Sequence, residues 1–215
     1  IETVFGYPGG AVIPLYNALY DAPIKNVLTA HEQGAIHAAD GYARASGKVG
    51  VCIATSGPGA TNIVTGLATA YLDSIPLVAI SGQVPVANLG RDAFQEIDIV
   101  GVTMPITKYN AIVRKSEELV PMLRKAFAIA KNGRPGPVLI DVPSDLQVKE
   151  LDYPELEEIK LPEVMKADEG IVEKAAAALN GAERPVLMVG GGAVTSSVEK
   201  ELIEHAKVKV GDSIR

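Results

Sequence analysis

Short apolar runs alternate with longer stretches of helical periodicity along the first two-thirds of the chain. The runs Thr3–Gly6, Asn26–Thr29, Val49–Ala54, Leu77–Ser81, Tyr109–Val113 and Val138–Val142 predict strands. Between them, Ala11–Tyr20, Gln33–Ser46, Ala60–Leu72 and Glu117–Asn132 predict helices. The last carries an apolar stripe at Val120, Leu123, Phe127 and Ala130, with Ser116 as its expected cap and Asn132-Gly133 as its stop. The strands lack polar alternation, which is the pattern of a sheet covered on both faces. Strand and helix in alternation then predict an α/β fold: a doubly wound parallel sheet with right-handed crossovers.

The pattern changes after Asp145. Residues 1–149 read as one domain and 150–169, rich in Glu, Asp, Lys and Pro, as an exposed linker. Residues 170–215 read as the start of a second α/β domain. There a helix at Ile171–Leu179, a strand at Pro185–Val189, the turn Gly190-Gly191-Gly192 and a helix at Ser197–Ala206 are expected. One helix–strand–helix stretch cannot bury its own faces, so this unit is expected to be incomplete. Lys207–Arg215 continues no recognisable element, and Ile1–Phe5 reads as a strand already under way, as in a clipped chain without a signal peptide.

Composition removes several function classes. A net charge of −6 with no Lys/Arg cluster argues against nucleic acid and anionic membranes as partners. No apolar run approaches the roughly 18 residues of a membrane span. The single cysteine, Cys52, lies in an apolar strand, so it reads as a core residue in a reducing, cytoplasmic setting. His31, His37 and His205 show no ligand-like grouping.

Candidate chemistry gathers around His31-Glu32-Gln33-Gly34-Ala35, where a carboxylate stands between a strand end and a helix of small residues. A partly desolvated glutamate there gains proton affinity and can share a proton with a ring nitrogen. Two glycine–proline turns flank it in sequence, Gly6–Gly10 and Ser56–Ala60. The stretch Thr55–Asn62 follows a strand and opens a helix, so it reads equally as a binding loop and as a tight connection. It lacks the lysine and spacing of a Walker loop, and Pro8 breaks any dinucleotide fingerprint in the first turn.

Seven motifs stand together in order: Tyr7-Pro8-Gly9-Gly10, His31–Ala35, Gly41-Tyr42-Ala43-Arg44, Thr55–Asn62, Ser81-Gly82-Gln83-Val84-Pro85, Asp92-Ala93-Phe94-Gln95-Glu96 and Gly133–Val138. In this order and spacing the chain resembles the acetolactate synthase (acetohydroxyacid synthase) large catalytic subunits of the thiamine diphosphate enzyme family. The likeness is close over about residues 1–150 and loose to about 206. It implies that Glu32 hydrogen-bonds the aminopyrimidine ring of thiamine diphosphate. Proton sharing there favours the imino tautomer, the base that activates the cofactor for attack on a 2-keto acid. It also implies that Pro8, Gly9, Pro58 and Asn62 line the pyrimidine, with Gln83 at its substrate end and Phe94 and Lys108 shaping the substrate pocket. His31 and Gln33 are expected to support the loop, and His37 to pack.

By the same resemblance, Gly190, Gly191 and Gly192 are possible FAD contacts, the flavin having no net redox role. The Gly-Asp-Gly motif that holds diphosphate and Mg²⁺ in the family has no match, since Gly211-Asp212-Ser213 has the wrong third residue. The metal site is therefore expected in a further domain, contributed by a neighbouring subunit of a homodimer or tetramer, and the chain alone is expected to be inactive. A regulatory small subunit is a further expected partner. The implied reaction condenses two pyruvates, or pyruvate with 2-oxobutyrate, in branched-chain amino acid synthesis. The alternatives are another thiamine diphosphate decarboxylase, oxidase or carboligase, and a non-catalytic α/β binding module.

Overall fold

In the computed structural model the described residues are 1–152 and 166–210, and the chain divides into two units, 1–163 and 164–215. The first is built on six strands: β1 (Thr3–Gly6), β2 (Lys25–Leu28), β3 (Gly50–Ala54), β4 (Leu77–Gln83), β5 (Tyr109–Ile112) and β6 (Pro137–Pro143). They form one sheet in the order β2-β1-β3-β4-β6-β5, and every pairing is parallel. From β1 the chain first winds outward to β2, then returns past β1 to β3. That reversal makes the β1–β3 boundary a topological switch point, where loops leaving the two strands part and open a crevice.

Helices cover both faces. On one side α1 (Ile13–Tyr20) and α6 (Leu119–Lys131) pack Leu15, Leu19, Ala126 and Phe127 against Val4, Val51, Val78 and Ile140 of the strands. On the other lie α2 (Glu32–Ser46), α3 (Pro58–Asn62), α4 (Val64–Leu72) and α5 (Ile99–Thr103), with Ile36, Ile63, Leu67 and Ile99 over Cys52, Ala79 and Leu139. All residues of β3, β4 and β6 are buried, which is why these strands read as apolar runs, with Ser81, Gln83 and Asp141 as buried polar exceptions. Cys52 is a buried free thiol, held protonated by burial, with Glu32 adding to the effect.

Three predicted helices differ in detail. Gly10–Val12 is a 3₁₀ turn before α1. The stretch expected as one helix from Ala60 begins at Pro58 and breaks at Ile63, separating α3 from α4. Ser116 is no cap: it is buried in a 3₁₀ turn, Ser116–Glu118, and the Glu118 carboxylate accepts from the Arg114 N–H at 3.2 Å. His37 is exposed on α2, so it is not a packing residue.

The second unit holds α7 (Glu169–Gly181), α8 (Gly191–Thr195) and α9 (Glu199–Val210). Asp168 caps α7 by accepting from the Ile171 N–H at 3.0 Å. The strand expected at Pro185–Val189 does not form, because the described residues of this unit supply no second extended segment to pair with it; Val186 and Met188 are almost fully exposed. Lys207–Val210, expected to continue nothing, extends α9. Most of the expected linker, residues 153–165, and the segment 211–215 with its Gly211-Asp212-Ser213 lie outside the described residues. Among the described residues, no helix is long and apolar enough to cross a membrane.

Candidate functional site

The crevice at the switch point is assembled by local hydrogen bonding at three strand ends. Beyond β2, the Thr29 N–H donates to the Gly6 carbonyl at 3.1 Å, extending the pairing with β1 by one step. The Thr29 hydroxyl then donates to the His31 carbonyl at 2.8 Å. His31 is extended, and its Nδ1 accepts from the Gln33 N–H at 3.0 Å, which caps α2. Glu32 thus becomes the first residue of the helix, where the unpaired N–H groups favour a carboxylate. The helix lies close to its neighbours: a Cβ on Gly66 of α4 would stand 2.2 Å from Ile36 Cγ2. That close approach buries Glu32, which is only 8% exposed.

Opposite it, Gly57 has φ +60° and turns the chain from β3 into α3, a conformation that side chains resist. The turn delivers Asn62, whose amide donates to Glu32 Oε2 at 2.9 Å. It also delivers Gly59, where a Cβ would lie 2.7 Å from Thr55 Cγ2 and 3.1 Å from Glu32 Oε1. Thr55, which opens the motif Thr55–Asn62 but was given no role of its own, is the hub. Its hydroxyl accepts from the Ala11 N–H at 3.2 Å, and its side chain fills the space a Cβ on Gly9 would need. Glu32, Asn62, Gly59, Thr55 and Gly9 therefore meet, while Pro8 and Pro58 ride exposed on the same two loops. Among the described residues, no donor reaches Glu32 Oε1.

Tyr16 was also not foreseen. Its hydroxyl is buried against Gly6 without a hydrogen-bond partner among the described residues. Burial raises its pKa, with Cys52 and Glu32 adding, so the phenol stays a neutral donor.

Gln83 lies at the end of β4, but its amide is committed to the fold. Nε2 donates to Asp141 Oδ2 and to the Ile97 carbonyl, both at 2.9 Å, and Oε1 accepts from the Val84 N–H at 2.8 Å. Asp141, on β6, also accepts from the Ser81 hydroxyl at 2.6 Å. Burial pushes its carboxyl up to about 7, against the opposing pull of the Ser81 and Gln83 bonds, with Asp98 adding to the rise. Gln83 and Asp141 border a cavity of about 390 Å³ that Glu96, Asp98 and Arg114 also line.

Two expected pocket residues lie away from this cavity. Phe94 is 88% exposed on a surface loop and does not line that cavity. Lys108 precedes β5, at the edge of the sheet where strands begin, opposite the edge that carries Glu32 and Gln83. Its ammonium donates to the carbonyls of Ile129 and Asn132, closing the C-terminal turn of α6, and desolvation lowers its pKa. Lys108 is a helix cap here, because a parallel strand that follows a lysine puts that lysine at the far edge. In the second unit Gly190 is extended and Gly191–Thr195 is a short helix, without the preceding strand that the FAD expectation presupposed. Among the described residues, no group of three or more His, Cys, Asp or Glu side chains could hold a metal ion.

Comparison with known proteins bears on this geometry. Residues 1–102 match the thiamine pyrophosphate enzyme, N-terminal TPP binding domain. The chain is similar to a probable acetolactate synthase large subunit of Methanocaldococcus jannaschii, 52% identical over 213 residues that cover 96% of this chain and 36% of that protein. It is 50% identical to an acetolactate synthase of Arthrospira platensis over 95% of this chain and 37% of that protein. With the acetolactate synthase large subunit of Haemophilus influenzae it shares 47% identity over 96% of this chain and 37% of that protein. The chain thus spans little more than a third of the length of the curated relatives it matches. The crevice that buries Glu32 lies within the residues that match the thiamine pyrophosphate enzyme N-terminal TPP binding domain, in a chain about half identical to acetolactate synthase large subunits along nearly its whole length.

Proposed function

We propose that this chain is part of an acetolactate synthase catalytic subunit, which condenses two pyruvates, or pyruvate with 2-oxobutyrate, into a 2-acetohydroxy acid with loss of CO₂. The observation that supports it most directly is the half-free carboxylate: Glu32 is buried, its Oε2 is bonded by Asn62, and Oε1 is left to accept a proton-bearing ring nitrogen. The residues present fit the aminopyrimidine of thiamine diphosphate. Gly9 and Gly59 let the two turns close tightly on Thr55 beside Glu32, which offers the acceptor. When bound, the cofactor supplies the nucleophile and the electron sink of the decarboxylation. Glu32 holds the ring-nitrogen proton at Oε1, Asn62 fixes the carboxylate by donating to Oε2, and Pro8 and Pro58 rim the opening. The structural support for Gln83 is as a wall residue beside this end of the sheet.

Mg²⁺ and the diphosphate would be held by a further domain across a subunit interface, in a homodimer or tetramer. The "large subunit" in the relatives' names supports a small regulatory partner. The FAD expectation at Gly190–Gly192 rests on sequence resemblance alone. A cytoplasmic setting is part of this reading, supported by the lone buried thiol of Cys52. Phe94 stands free to meet a substrate or a partner surface.

The test is an assay of the full-length enzyme with pyruvate, thiamine diphosphate and Mg²⁺. Acetolactate is the expected product. Acetyl phosphate, acetaldehyde or tartronate semialdehyde in its place would move the protein to another branch of the family. No heat of cofactor binding in calorimetry would return it to the class of non-catalytic modules.

A further inference from the structure

We infer that Asp141, acting through Gln83, is a positioning residue that fixes the loop from Gly90 to Ile97 over the Gly57 turn of the cofactor crevice. The loop is internally rigid. The Glu96 carboxylate gathers the N–H groups of Gly90, Arg91 (3.3 Å) and Ala93 (3.0 Å), and these bonds hold its pKa below the usual carboxylate range. Three residues, Gly90, Asp92 and Gln95, take left-handed backbone conformations to close this clasp. A clasped loop moves as one piece, so its position depends on where that piece is tethered.

One tether is the Ile97 carbonyl, which accepts from Gln83 Nε2. The other hydrogen on that nitrogen goes to Asp141 Oδ2, and the Val84 N–H holds the amide oxygen. With its orientation fixed at two points, the Gln83 amide has one direction left for its second N–H. At the far side the loop rests on the crevice: a Cβ on Gly57 would stand 2.7 Å from the Gln95 carbonyl oxygen. Gly57 is the residue that sets α3, and α3 carries Gly59 and Asn62 to Glu32. The path from Asp141 to Glu32 is thus continuous: Asp141, Gln83, Ile97, Gln95, Gly57, Asn62, Glu32. Asp141 is 1% exposed and touches no part of the crevice itself, so it acts only by holding its neighbour.

This inference rests on the crevice being the thiamine diphosphate site, and its test separates the two claims. In the full-length enzyme, Asp141→Ala is expected to speed amide hydrogen exchange across residues 90–97 by tenfold or more, leaving α2 unchanged. The KM for thiamine diphosphate should rise several-fold with a smaller change in kcat. Asp141→Asn should restore both, because its amide oxygen can accept from Gln83 while its NH₂ donates to the Ser81 hydroxyl. If Asp141→Ala does not fold, Gln83→Met removes the same tether and carries the same expectation. Unchanged exchange at 90–97, or an Asn variant as impaired as the Ala variant, overturns the positioning role. An enzyme that turns over without thiamine diphosphate would sink the functional reading, while the exchange data would still decide the tether.

Discussion

Glu32 and Asp141 are both buried carboxyls of the same unit, one opening α2 at the mouth of the β1–β3 crevice and the other inside β6, and their hydrogen bonds are distributed differently. Asp141 has both oxygens occupied, by Ser81 and by Gln83, and lies 1% exposed in the body of the domain. Glu32 has one oxygen occupied by Asn62 and one with no donor among the described residues, at 8% exposure. Buried polar groups are ordinarily satisfied. A carboxylate with one oxygen that no protein donor uses is open to a ligand, whereas one with both oxygens matched is closed to it. Burial alone does not separate the two carboxyls; an acceptor left without a protein donor does.

The largest effect should come from removing the proton-holding ability of Glu32 while keeping its shape. Glu32→Gln retains an oxygen for the Asn62 amide but cannot hold or share an acidic proton. Loss of a positioned acid–base group typically costs on the order of 10² to 10⁴ in rate. Acetolactate formation by the full-length variant is expected to fall by about a hundredfold or more, with its far-ultraviolet dichroism unchanged. Near-normal turnover would erase the distinction between the two carboxyls.

Crowding the free oxygen should come next. Gly59→Ala places a methyl 2.7 Å from Thr55 Cγ2 and 3.1 Å from Glu32 Oε1, so Thr55 or the α3 turn must shift. Overpacking of this kind costs about 1–3 kcal/mol. Denaturant midpoints should fall accordingly, and calorimetry should show cofactor affinity weakened by tenfold or more. An alanine variant with wild-type affinity would mean that the ring does not sit against the Gly59 turn.

Asp141 sharpens the contrast through pH. Its carboxyl titrates near 7 in the fold and near 3.9 in an unfolded chain, so the native state holds the extra proton between those values. Stability should therefore decrease as pH rises from about 4 to 7 and level off above, by an amount on the order of a few kcal/mol. Asp141→Asn should flatten that slope, as read from urea midpoints across pH 4–8. A slope unchanged in the Asn variant would assign it to other groups.

The sheet was legible in the sequence because its central strands β3, β4 and β6 are buried throughout. Val49–Ala54 and Val138–Val142 kept their apolar runs for that reason, and the ends shifted by no more than two residues. Pro185–Val189 is just as apolar but has no partner among the described residues, so local pattern alone could not make it a strand. Glu32 and Asn62 could be picked out because they stand at strand-to-helix turns, where motif and geometry coincide. Tyr16 was missed, and Thr55 was read only as the start of its motif, because their roles come from contacts from α1 to Gly6 and across 44 residues to Ala11, which carry no local signature. Lys108 went wrong for a similar reason: its charge suggested chemistry, while the direction of β5 decided that it caps α6 instead.

The smallest expected effect distinguishes support from chemistry next to Glu32. His31 stands next to Glu32 in sequence, yet its only described side-chain bond is the one Nδ1 accepts from the Gln33 N–H. If His31 were a proton carrier, any replacement would impair catalysis. If it serves as the cap of α2, a side chain that also accepts from a first-turn N–H should substitute for it. His31→Asn is expected to keep stability and turnover within about twofold, because Asn is among the preferred caps. His31→Ala should lose about 0.5–1 kcal/mol of stability by removing that acceptor. Its turnover should fall only as far as fraying of the first turn loosens Glu32. Comparing the two variants by denaturation and by steady-state assay tests the point. An Asn variant as slow as Glu32→Gln would move His31 from the scaffold into the reaction.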